Sequence, residues 1–152
     1  MKKLLLILFM VFTSSNNAFA AFVISTNSSC YGNDIYTYHF SSTAYSPDYT
    51  VKVSSTAYSP DLTIKIVDDP KKANLILVDD YKDGDMQMCK KSTSYGAKTI
   101  KVSSTAYSPD ITIKLTEYSY SVDYTIFVAS ERMTVEEAAA LFAVIWQSNR
   151  DN

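Results

Sequence analysis

The chain has little of what most catalytic sites are built from. Its 152 residues include three glycines, one histidine and one tryptophan. Gly32, Gly84 and Gly96 stand too far apart to form a phosphate-cradling loop. With only His39, no His/Cys set has zinc-ligand spacing, and no serine lies in a Gly-x-Ser-x-Gly context. Beyond the first dozen residues no apolar run is long enough to cross a bilayer. Positive charge is also scarce: 14 Lys plus Arg face 16 Asp plus Glu. General nucleic-acid binding therefore finds no support. No catalytic residue is assigned. The enzymatic alternative is a small hydrolase in which His39 activates a serine.

What is present starts with a leader. Lys2 and Lys3 precede an apolar stretch over residues 4–12, and Ala18-Phe19-Ala20 follows a polar spacer. These are the three parts of a secretory signal peptide over residues 1–20, too short for a membrane span. The expected mature chain, residues 21–152, forms one repeat domain with a net charge of about −4 and is exported, to the periplasm or beyond. Its two cysteines, Cys30 and Cys89, then read as one disulfide. That bond would close a loop of about 60 residues, worth about 4 kcal/mol on the chain-entropy account.

The most informative feature is repetition. SSTAYSPD occurs at residues 41–48, 54–61 and 103–110, each time as the second half of a 13-residue unit. Three units fill residues 36–74 and three more fill 98–136. Residues 75–97 begin as another unit and carry an insertion, 79–97. The first half of each unit alternates, as in Tyr49, Val51, Val53 against Thr50, Lys52. Alternation with β-branched residues is a half-buried strand. The expected fold is β-rich (α+β): six or seven short strands with one apolar face and one Thr/Lys face. The connector halves admit two geometries, an antiparallel meander turning at Ser-Pro-Asp or stacked parallel units. The shortness of the connectors counts against parallel strands, which normally need a dozen or more residues to cross over. The need to cover a continuous apolar face favours stacking, with Ala57, Tyr58 and Pro60 expected to help cover it. Stacked units are preferred. A Thr134-x-x-Glu137 capping box opens a C-terminal helix over about 135–148, expected to pack on the sheet or close its end.

Units such as IKIVDDPKKANLIL and IKLTEYSYSVDYTIFV (residues 64–77 and 113–128) share an order: apolar strand, acidic turn, small residue, then Asp or Asn before the next strand. This order resembles a bacterial family of unknown function built from 13-residue β-repeats, a strand followed by a Tyr-x-x-Ala-Asp-like connector. The resemblance implies repeat architecture and no ligand, reaction or catalytic residue. In this chain YSPD has Pro where the family pattern has Ala.

Three arrays remain. Asp79, Asp80, Asp83 and Asp85 around Gly84 supply oxygen ligands of the kind Ca²⁺ takes, without EF-hand spacing; the plainer reading is a solvated turn, and no cofactor is otherwise implied. The residues ending the units, Asp48, Asp61, Asn74, Asp110, Asp123 and Glu136, are expected to accept N–H bonds, each in its own turn. The outward pairs Thr50/Lys52, Thr63/Lys65, Thr99/Lys101 and Thr112/Lys114 form a face that would suit an anionic glycan, or simply a solvated face that guards against edge aggregation. The functional expectation is an exported, non-enzymatic protein presenting a surface to a protein or glycan partner. A structural envelope or matrix component that self-associates is the alternative.

Overall fold

The computed structural model describes residues 20–152. The leader reading falls, but for Ala20, outside them. Nine strands and one long helix follow in order: β1 (Phe22–Thr26), β2 (Ile35–Ser41), β3 (Tyr49–Ser54), β4 (Leu62–Ile66), β5 (Leu75–Asp79), β6 (Met86–Lys91), β7 (Lys98–Ser103), β8 (Ile111–Thr116), β9 (Tyr124–Ala129) and α1 (Val135–Arg150). A 3₁₀ turn, Pro70–Lys72, lies between β4 and β5, capped by the Asp69 side chain.

Every strand pair is parallel, and the sheet closes into a barrel in the order β1-β5-β9-β4-β8-β3-β7-β2-β6. Strands consecutive in sequence are next-but-one neighbours. The chain circles the barrel once with β1 to β5, and a second time with β6 to β9 filling the gaps. This corrects the expected six or seven stacked strands on two counts. The sheet has no open edge, and two strands, β1 and β6, lie outside the repeated units. The insertion expected at 79–97 contains β6.

Short parallel connections become intelligible from the register. Ser54 of β3 pairs with Lys114 of β8, and Leu62 of β4 pairs with Ile113 of the same strand. The end of β3 thus stands almost level with the start of β4, two strands away. Followed right round the ring, the paired positions return to β1 displaced by about 16 residues, a shear that tilts nine strands by roughly 50°. Each strand climbs the wall obliquely, and each connector descends the outside over the strand between. Residues 55–61 need only span the barrel's height, about 12 Å. The usual crossover length applies to strands that start side by side, and here the tilt performs most of the return.

Contacts mark these crossings. The connector of residues 80–85 lies on β1: Tyr81 N donates to Ser25 Oγ at 2.8 Å. A Cβ at Gly84 would stand 3.1 Å from that of Ser25, a tight approach that glycine relieves at this crossing. Lys65 of β4 reaches Ser119 Oγ at 2.6 Å in the connector above it. Thr125 of β9 donates to Lys72 O at 3.0 Å. The disulfide joins Cys30, in the connector after β1, to Cys89 on the outer face of β6. Second-lap strands therefore run beneath first-lap connectors, an interlacing most folds avoid.

The helix was expected on the sheet or at its end; it lies inside the barrel. Seven consecutive residues, Ala138 to Val144, are at most 3% exposed. A helix packed on one side keeps an exposed stripe, so burial all round means a surrounding wall. Seven residues span about 10 Å, close to the barrel's height. Inward residues of the strands, including Val51, Ile64, Leu77, Met88, Ile100 and Ile113, complete this core. Four of the seven buried helical residues are alanine, which lets the backbone approach β3 and β8. The Thr134–Glu137 capping box forms as expected, and Lys90 Nζ holds Glu137 at 2.9 Å. The helix runs to Arg150, two residues past the expected end.

Candidate functional site

The outer surface is built from connector ends. Asp61 N donates to Thr112 O at 2.8 Å, and Thr112 N donates back to Asp61 Oδ2 at 2.7 Å. The same two-bond clamp joins Asp48 to Thr99, Asp110 to Thr50 and Asp123 to Thr63. Asn74 does likewise with Thr125, and Asp85 accepts Val23 N at 2.8 Å. Asp48, Asp61, Asp110 and Asp123 therefore each satisfy a neighbouring strand 51 to 60 residues away in sequence, where a bond within the residue's own turn was expected.

Between these clamps the connectors carry tyrosines turned fully outward. Tyr45, Tyr58 and Tyr107 are 101, 97 and 97% exposed, and Tyr120 at the matching place is 88% exposed. Tyr58 therefore covers no apolar surface, contrary to expectation; Ala57 and Pro60 are the half-buried members of its connector. The barrel covers its own apolar face by closing round α1. In ring order the four connectors lie over β7, β3, β8 and β4, so the tyrosines run Tyr45, Tyr107, Tyr58, Tyr120. Neighbouring connectors are offset by one strand and about two residues, roughly 8 Å of backbone. That step matches the barrel's shear, so the row keeps nearly constant height. Three of these tyrosines precede a serine in the left-handed region: Ser59 (φ 54), Ser108 (φ 55) and Ser121 (φ 51). That conformation costs a non-glycine residue about 1 kcal/mol, and Pro60 and Pro109 disfavour it further. Strained backbone of this kind gathers at binding sites.

The residues singled out from sequence fall elsewhere. Thr99 is buried, and Thr50, Lys52, Thr63, Lys65, Lys101, Thr112 and Lys114 are half-buried, since the connectors run across them. They line an interlayer and do not present an open face. His39 Nδ1 stands 3.0 Å from Lys91 O.

The four candidate calcium ligands diverge. Asp79 takes the Thr26 and Ser130 hydroxyls and Glu131 N. Asp80 pairs with Arg132 Nη2 at 2.7 Å, and Asp85 is clamped to β1, while Asp83 is exposed. Burial works against ionisation of Asp79, but the two hydroxyls, Glu131 N–H and Arg132 outweigh it and hold its carboxyl below the usual range. Asp80 is lowered by its bond to Arg132. Arg132 also donates to Thr26 O at 2.9 Å, tying the upper rim of β1 and β5 to the entry of α1. Among the described residues no group of His, Cys, Asp or Glu is arranged to hold a metal ion.

No family model, curated protein or solved structure matches this chain. The site thus rests on its own geometry. Sequence reasoning passed over the tyrosines as connector filling. The signal was there: Tyr recurs at one place in four units with polar or small neighbours, whereas a residue that helps cover a core has apolar company.

Proposed function

We propose that this protein is an exported, non-enzymatic recognition module that binds an extended glycan through its row of connector tyrosines. The observation carrying this reading is the row itself: four tyrosines at regular steps, each at least 88% exposed, on connectors each clamped at its final Asp. Tyr combined with Ser is the composition of adaptable recognition loops, because the ring supplies contact area at low entropy cost. Protein partners are usually gripped by a few anchors in a central buried pocket. A convex row of separate rings suits a polymer of repeating units, stacked one sugar face at a time. The half-buried lysines beneath supply a diffuse positive field at most, so ring stacking leads and charge assists. Export is part of the proposal and draws on the leader reading and the Cys30–Cys89 bond. The likeness to 13-residue repeat proteins of unknown function is proposed with it, since strands begin at Tyr49, Leu62 and Leu75 and again at Lys98, Ile111 and Tyr124.

Retention on immobilised neutral and anionic polysaccharides tests the reading. The quadruple variant Tyr45→Ser, Tyr58→Ser, Tyr107→Ser, Tyr120→Ser should keep its melting temperature and lose at least tenfold in retention. Retention equal to the parent's refutes glycan stacking. Concentration-dependent light scattering abolished by the same changes points instead to a self-assembling envelope or matrix component.

A further inference from the structure

The helix does not fill the barrel evenly. Its backbone comes closest to β3, β7, β8 and β9. Toward β1, β6 and β2, at the rim where strands begin, a cavity of about 670 Å³ opens between α1 and the starts of these strands and of β7 and β3. This size falls within the range of small-molecule sites. Its inner wall is apolar: Phe22, Ile35, Met86 and Ile145 line it, with the rings of Tyr36 and Tyr49. At the mouth, Lys98 is exposed, with Nζ 5.9 Å from the centre of the Tyr49 ring. Among the described lining residues Lys98 carries the one charge, and no carboxylate belongs to the lining. Asn149, also on the lining, has a buried Oδ1 that meets no donor. Two rigid elements, barrel wall and helix, form most of the walls, and Gly96 and Ala97 of the connector between β6 and β7 complete the lining.

We infer that this cavity binds a single-chain anionic amphiphile of the fatty-acid class. The tail lies between Phe22, Met86 and Ile145, and the carboxylate sits at Lys98. The site is separate from the tyrosine row: it opens at the barrel's lower rim, and none of Tyr45, Tyr58, Tyr107 and Tyr120 lines it.

Titration of the oxidised chain with cis-parinaric acid, followed by its fluorescence, tests the inference. Saturable binding at one site per chain is expected, with displacement by palmitate. Ile145→Trp fills the cavity and should abolish binding; Ala97→Phe, nearer the mouth, is a second filling variant should the first lower the melting temperature. Lys98→Met should weaken palmitate at least tenfold while leaving displacement by hexadecanol unchanged. Non-saturable binding, or equal binding by both filling variants, overturns the site. An unchanged palmitate affinity in Lys98→Met overturns the anionic head group.

Discussion

Asp110 and Thr50 exchange two bonds across 60 residues of sequence: Asp110 N donates to Thr50 O at 2.8 Å, and Thr50 N donates to Asp110 Oδ2 at 2.7 Å. The second bond uses a side chain where a strand would have used its backbone. It ends the ladder while keeping the connector docked. Asp110→Ala leaves the Thr50 N–H without its acceptor and should cost about 1–2 kcal/mol. Asp110→Asn keeps an acceptor and should cost less. Thr50→Val keeps the N–H and should leave the clamp intact. Urea midpoints for the three variants give the order. An Ala variant as stable as the parent means that the clamp contributes nothing.

That clamp also shows what could be read in the sequence and what could not. Alternation in YTVKV or ITIKL marks strands because one side of each is buried, and seven of the nine were legible this way. The helix start was legible in Thr134 and Glu137, whose capping is local. β6 was not: Met-Gln-Met-Cys alternates without β-branched residues and sat inside an apparent insertion. β1 followed directly on the stretch read as a leader. The partner of Asp110 was beyond reach, because nothing within a unit says which strand lies 60 residues away. Closure follows from the tilt, a collective property of nine registers that no single unit carries. The tyrosine row follows from closure, so its continuity was invisible too.

The disulfide fastens a first-lap connector to a second-lap strand. Replacing both cysteines (Cys30→Ser with Cys89→Ala, since Cys89 is fully buried) frees a loop of about 60 residues. A loss near 4 kcal/mol is expected on the chain-entropy account, read as a lower denaturant midpoint. A loss under about 1 kcal/mol would mean that residual structure already restricts the unfolded chain.

Acid should loosen the upper rim first. The Asp79 and Asp80 carboxyls are held below their ordinary range in the folded protein. Their contribution is therefore fully present above the unfolded carboxylate pKa of about 4 and is lost as pH falls through the lower folded values. Stability should be flat near neutrality and drop below about pH 4. Asp79→Asn should lower neutral stability and flatten that acid limb. A parental slope in Asp79→Asn would place the acid sensitivity on other groups.

Folding should be slow. Every strand pairs with partners 51 to 62 residues away in sequence, and none pairs with the strand that follows it. Long loops must close before any ladder forms, and folding rates fall steeply as contacts become non-local. Four strands of the second lap must also settle beneath connectors that the first lap has made. Refolding from urea, followed by the fluorescence of the half-buried Trp146, should take seconds or longer even for the oxidised chain. Stopped-flow refolding complete within a millisecond would show that the strands assemble before the connectors close over them.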